Sequence, residues 1–97
     1  MRQVSPQLLK EWLEAGKDLL LIDVRETGER DTFNIGGIHI PMGELVSSIS
    51  KISKDKETVL YCEKGIRSVI AIQRLESMGF SNLINLSGGM KAWKEVL

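Results

Sequence analysis

One cysteine, two prolines, and two tryptophans, one tyrosine and two phenylalanines are all that 97 residues contain of these types. The lone Cys62 has no partner for an intramolecular disulfide and no companions for a four-sulfur metal centre. It is either buried filler or a reactive thiol. Charge of one sign is also lacking: thirteen Lys and Arg balance thirteen Asp and Glu. No whole-molecule field exists to recruit nucleic acid or an anionic membrane, so any anion binding must be local. Long apolar runs are missing too. None is longer than Leu19 to Ile22, far short of the ~20 residues that cross a bilayer. Behind Arg2 there is no apolar stretch resembling a signal-peptide core, which predicts a cytoplasmic protein that is neither exported nor membrane-bound. A chain this size buries under ~70% of its unfolded surface, enough for one modest core. A single domain over residues 1–97 is expected.

What is present alternates between helix and strand patterns. Ser5-Pro6 is a helix start, with a hydroxyl to cap free N–H groups and a proline suited to the first helical position. Leu8, Leu9, Trp12 and Leu13 follow on one face, and Gly16 supplies a stop. Leu19 to Val24 reads as a strand buried on both faces, of the kind found in parallel sheets. Glu26 to Phe33 is a weak, polar helical segment. Ile35 to Pro41 reads as a turn feeding a short strand, and Met42 to Ile49 as another short helix. Thr58 to Tyr61 is a strand that gives way at Cys62 to a loop, Cys62 to Ser68. Ser68, Ala71, Ile72, Leu75 and Met78 then recur at helical spacing, stopped by Gly79. Leu83 to Leu86 is a last strand, Ser87-Gly88-Gly89 a turn, and Met90 to Val96 a closing helix.

This order predicts an α/β fold: three layers, with helices on both faces of a mostly parallel sheet of about five strands. In such sheets ligands sit beyond the carboxyl ends of the strands. Asp23, Cys62 and Ser87 each lie at or just past such an end, which brings them toward one cleft.

Cys62 stands where a strand meets a loop and a helix start, a setting of backbone N–H groups and positive helix-end potential that favours the thiolate. Lys64 and Arg67 add positive charge, and Arg67 offers a planar double donor for an oxyanion. Gly65 allows the loop to curl tightly and turn successive amides inward as an anion nest. A lone cysteine is usually a small buried hydrophobe. The strand, Gly65, Arg67 and Ser68 at this spacing reverse that expectation. Asp23 and Arg25 share a face at alternate-residue spacing and are expected to pair as a structural clamp, with a site-orienting role second. His39, beside isoleucines, fits a hydrogen-bonded structural role better than a general base. Trp12 and Trp93 are expected in the core.

Four blocks carry a family resemblance: Leu21-Ile22-Asp23-Val24-Arg25-Glu26; Ile35-Gly36-Gly37-Ile38-His39-Ile40-Pro41; Val59 through Ser68; and Leu86-Ser87-Gly88-Gly89-Met90-Lys91-Ala92-Trp93. In this order they resemble the rhodanese-like sulfurtransferase family over essentially the whole chain. The resemblance implies that Cys62 accepts a sulfane sulfur as a persulfide and passes it on. It further implies that Glu63, Lys64, Gly65, Ile66, Arg67 and Ser68 bind substrate through a backbone cradle. Related phosphatases have one more residue between Cys and Arg, so the four-residue spacing here favours sulfur transfer. Glu63 weakens the positive field of that loop. Asn34 to Ile38 is more similar to rhodanese modules fused to adenylyltransferases that activate small sulfur carriers, while Thr27 and Arg30 replace the usual proline and aromatic residue.

The reading that results is a sulfurtransferase using thiosulfate or a protein persulfide as donor and a thiophilic acceptor, through a Cys62 persulfide. It calls for no metal and no organic cofactor. Small sulfur anions and thiols are the expected partners, with a cysteine desulfurase or a sulfur-carrier protein as candidate protein partners and no nucleic acid. Two alternatives stay open: a non-catalytic or relay module that docks a protein, and a cysteine-dependent phosphatase or arsenate reductase.

Overall fold

The computed structural model describes residues 1–96. Among them, five strands and four α-helices alternate: β1 (Arg2–Val4), α1 (Pro6–Glu14), β2 (Leu20–Asp23), α2 (Thr27–Thr32), β3 (Ile38–His39), β4 (Thr58–Tyr61), α3 (Arg67–Glu76), β5 (Leu83–Leu86) and α4 (Gly89–Glu95). All strand pairs are parallel, in the order β1-β5-β4-β2-β3. The sheet is thus the expected α/β arrangement, with β4 at its centre. No helix is long and apolar enough to cross a membrane among the described residues.

Side-chain alternation along the strands divides the core in two. Ile22, Leu60, Cys62 and Leu83 pack on one face with Ala71, Ile72 and Leu75 of α3. Val59, Tyr61, Ile84 and Leu86 pack on the other with Leu9 of α1 and Met90 and Trp93 of α4. Burial on both faces explains why β4 and β5 are mostly apolar along their length rather than alternating, with Thr58 and Asn85 as their buried polar residues. Ser5 caps α1 as expected, its Oγ accepting the Leu8 N–H at 3.1 Å.

Three expectations differ from the structure. Arg2–Val4, unassigned from sequence, forms the edge strand β1 because its register against β5 buries only Val4, leaving too short a pattern to read. Met42 to Ile49 is not a helix but two 3-10 turns, Met42–Glu44 and Ile49–Lys51, since only Leu45 and Ser48 between them find buried positions. The apolar face of α1 is narrower than its spacing suggested: Leu9 is buried, while Leu8 and Leu13 are exposed.

Candidate functional site

Cys62 follows β4 directly, at the carboxyl end of the sheet's central strand, and Arg67 opens α3. The five residues Cys62 to Ile66 must therefore turn the chain from sheet to helix within a very short span. Gly65 makes this possible with φ +83°, a conformation side-chain-bearing residues rarely adopt; a Cβ there would also lie 2.9 Å from the Gly88 N.

The start of α4 holds this loop from behind. The Met90 and Lys91 N–H groups donate to the carbonyls of Cys62 and Glu63, both at 2.9 Å. In a trans peptide the C=O and the following N–H point in opposite directions. With the Cys62 and Glu63 carbonyls drawn toward α4, the N–H groups of Glu63 and Lys64 face the other way. Gly65's carbonyl accepts from Asn85 Nδ2 at 3.4 Å, which turns the Ile66 N–H by the same rule. Among the described residues, the N–H groups of Glu63, Lys64, Ile66 and Arg67 have no protein acceptor.

The Cys62 side chain lies at the base of this curl. The residue is only 1% exposed, yet it lines an open cleft of about 400 Å³ together with Glu29, Glu63, Lys64, Ile66 and Arg67. Two backbone amides converge on its sulfur: the Gly65 N–H of the loop at 3.2 Å and the Ser68 N–H of the first turn of α3 at 3.3 Å. The Ser68 hydroxyl is also 3.3 Å from Sγ and donates to Asn85 Oδ1. Asn85 is itself buried, and its Nδ2 donates to Gln3 Oε1 at 2.9 Å. A polar residue inside the apolar run Leu83 to Leu86 was a sequence signal for this network, because buried amides need partners. Ser87, expected in the cleft, turns away instead and donates to Gln3 Oε1 at 3.0 Å. The edge strand β1 supplies that glutamine, so a missed strand explains a misplaced serine.

Arg67 also differs from expectation. Rather than presenting an open fork, its Nη1 and Nη2 donate to Glu29 Oε1 and Oε2 at 2.8 and 2.7 Å. The guanidinium's hydrogen bonds hold the Glu29 carboxyl down at about 2, against the opposing effect of burial and with help from the Glu26 N–H. Glu29 in turn raises Arg67. Sequence reasoning missed Glu29 because its local role is complete without Arg67. It is the third residue of α2, and its carboxylate accepts the Glu26 N–H at 3.0 Å in a capping box.

Asp23 and Arg25 pair as the clamp their spacing predicted. Arg25 Nε and Nη2 reach Asp23 Oδ1 and Oδ2 at 3.0 and 2.9 Å, and the Arg25 N–H adds a third bond at 3.0 Å. Both residues are buried. Burial alone would lower Arg25, but Asp23's hydrogen bonds and charge outweigh it and the net direction is upward. The same guanidinium bonds the Phe33 carbonyl at 2.6 Å and lies 3.5 Å from Glu63, so the clamp touches the loop's second residue. His39 Nε2 is 2.7 Å from the Arg25 carbonyl, a structural position as expected. Trp93 is buried in the core and Trp12 packs against it. Among the described residues, no three His, Cys, Asp or Glu side chains are grouped to hold a metal ion.

A family model described as "Rhodanese-like domain" matches residues 5–96. The chain is 39% identical over 95 residues to the putative sulfurtransferase YtwF of Bacillus subtilis, covering 97% of this chain and 91% of that one. It is 38% identical over 93 residues to the probable adenylyltransferase/sulfurtransferase MoeZ of Mycobacterium tuberculosis, where it covers 93% of this chain but only 24% of that longer protein. Among solved structures, a rhodanese-related protein from Thermoplasma volcanium superposes with a TM-score of 0.86 at 29% identity, over 99% of this chain and 93% of that one.

Proposed function

The chain belongs to the rhodanese-like domain family, several of whose members similar to it are named sulfurtransferases, and on that premise we propose that Cys62 carries sulfane sulfur as a covalent persulfide. The thiolate attacks the outer sulfur of a donor, forming one S–S bond as the donor's own S–S bond breaks and its leaving group takes the electron pair. The persulfide is then attacked by a thiophilic acceptor, which restores the thiolate. Electrons balance between donor and acceptor, so the cycle needs no outside oxidant.

The observation that carries this reading is the convergence of the Gly65 and Ser68 N–H groups on a sulfur at the base of an open cleft. Those donors stabilise negative charge on Sγ when the thiolate forms. The loop amides without a protein acceptor would hold the second sulfur of a persulfide. Ser68 and Asn85 fix the cradle from below; Asp23 and Arg25 orient Glu63 at its rim. One relative named a probable adenylyltransferase/sulfurtransferase and another named a putative sulfur carrier protein support a sulfur-relay setting; within it we propose a cytoplasmic protein with a cysteine desulfurase or a sulfur-carrier protein as partner.

Intact-mass measurement tests the proposal. Incubation with thiosulfate, or with a persulfide-bearing desulfurase, should add one sulfur to the wild-type protein and none to Cys62→Ser. A folded wild type that gains no sulfur from either donor rules the proposal out.

A further inference from the structure

The Arg67–Glu29 pair has a consequence for which donors the cleft accepts. A guanidinium fork recognises an oxyanion by offering two parallel N–H donors. Here both donors are already satisfied, at 2.8 and 2.7 Å, by a carboxylate of the same chain. The cleft walls hold two carboxylates, Glu29 and Glu63, against two cations, Lys64 and Arg67. Glu63 itself faces Arg25 at 3.5 Å. Lys64 is exposed at the rim, where a hydrated point charge attracts weakly. A second hollow of about 400 Å³ shares Glu29 and Glu63 as lining and lies against Arg25, Phe33 and Lys94. Space beside the cleft of this kind suits a donor with an organic body rather than a compact inorganic ion.

We propose that Glu29 is a built-in occupant of the anion slot at Arg67, and that it selects organic persulfides, R–S–SH, over oxyanion sulfur donors such as thiosulfate. This rests on the sulfur-transfer reading above and narrows its substrate class. With a persulfide donor, the Cys62 thiolate bonds to the outer sulfur, the donor's S–S bond breaks, and R–S⁻ leaves with the electron pair. Cys62 rises to the persulfide level while the donor's inner sulfur is reduced to a thiolate. No oxyanion develops that would need the Arg67 fork. Thiosulfate instead expels sulfite, whose charge sits on oxygens with no free fork to meet it and the Glu29 carboxylate nearby. The same pair keeps Glu29 ionised near neutral pH, so its charge disfavours thiosulfate there without excluding it.

The test compares Cys62 loading rates, read by intact mass, from thiosulfate and from the persulfide of 2-mercaptoethanol. Glu29→Gln removes the charge but retains an oxygen to accept the Glu26 N–H, so the start of α2 is kept. The thiosulfate-to-persulfide rate ratio should rise about tenfold in Glu29→Gln, the scale of one close charge in a partly solvated site. Arg67→Ala in that background should remove the gain. An unchanged ratio in folded Glu29→Gln overturns the proposal. A measurement on the wild type stands apart from any folding defect: sulfate should fail to protect Cys62 from alkylation. Protection with a dissociation constant tighter than about 1 mM also overturns it. Loading from neither donor would instead remove the sulfur-transfer reading on which it rests.

Discussion

Gly89 lies against the backbone of Cys62 so closely that a side chain there would overlap the Cys62 carbonyl oxygen and sit 2.7 Å from the Glu63 carbonyl carbon. Its φ of +61° is itself one that other residues avoid. The glycine is what lets the first amides of α4 reach the loop carbonyls. Gly89→Ala should therefore cost at least ~2 kcal/mol in urea unfolding, from strain and overlap together. Gly28→Ala, in α2 with open space around it, should be neutral or stabilising by up to ~1 kcal/mol. Equal stability of Gly89→Ala and wild type would show that the loop is not held this way.

The buried Asp23–Arg25 clamp should behave as a coupled unit. Asp23→Ala leaves the buried guanidinium with only the Phe33 carbonyl and the more distant Glu63, and should cost about 3–5 kcal/mol. Adding Arg25→Met should recover part of that loss, giving a coupling energy of more than ~1 kcal/mol in a double-mutant cycle. Additive losses would mean that the two side chains are independently placed.

Glu29 supplies an acid-dependent contribution with a definite sign. Its folded pKa of about 2 lies below its ordinary 4.5, so the ionised form favours the native state. That stabilisation is present above pH ~4.5 and fades as pH falls toward 2. The stability gap between wild type and Glu29→Gln should close over this window in acid titrations followed by circular dichroism. A gap that persists at pH 2 contradicts the assignment.

Tyr61 is the chain's one tyrosine, so its phenol can be followed directly by ultraviolet absorbance. Burial, reinforced by the negative charge of Asp23, pushes it up to about 12. The hydroxyl donates to the Gly36 carbonyl at 2.8 Å and stays protonated in the native state. Stability should be full below pH 10, where the unfolded phenol is also neutral, and decline as pH rises from 10 through 12. Tyrosinate absorbance near half-maximum at pH 10 in folded protein would refute this.

Ser68→Ala removes the hydroxyl beside Sγ and leaves the buried Asn85 Oδ1 without its donor. A stability loss of about 1–3 kcal/mol is expected. Iodoacetamide alkylation of Cys62 at fixed pH should quicken, because the hydroxyl, its hydrogen given to Asn85 Oδ1, meets Sγ only as an acceptor that favours the protonated thiol. Asn85→Leu frees the Ser68 hydroxyl to donate to Sγ instead, which favours the thiolate, and should also quicken alkylation. Wild-type alkylation rates in both variants would exclude a role for this network at the thiol.

The linear order of residues determined whatever depends on near neighbours. Apolar runs specified β2, β4 and β5; helical periodicity specified α3. The i, i+2 spacing of Asp23 and Arg25 specified their pairing, and the short step from Cys62 through Gly65 to Arg67 specified a tight turn at a helix start. Tertiary structure decided what depends on strand order. Placing β2 beside β4 sets the α2 segment next to the Cys62 loop, so Glu29 meets Arg67 across 38 positions of sequence. Placing β1 beside β5 brings Gln3 to Asn85 and draws Ser87 away from the cleft. A charged side chain carries no mark of which distant partner it will find. In sequence Glu29 is one charge within a polar helical segment, and only the packing of separate strands onto one sheet reveals that its carboxylate fills the arginine's fork.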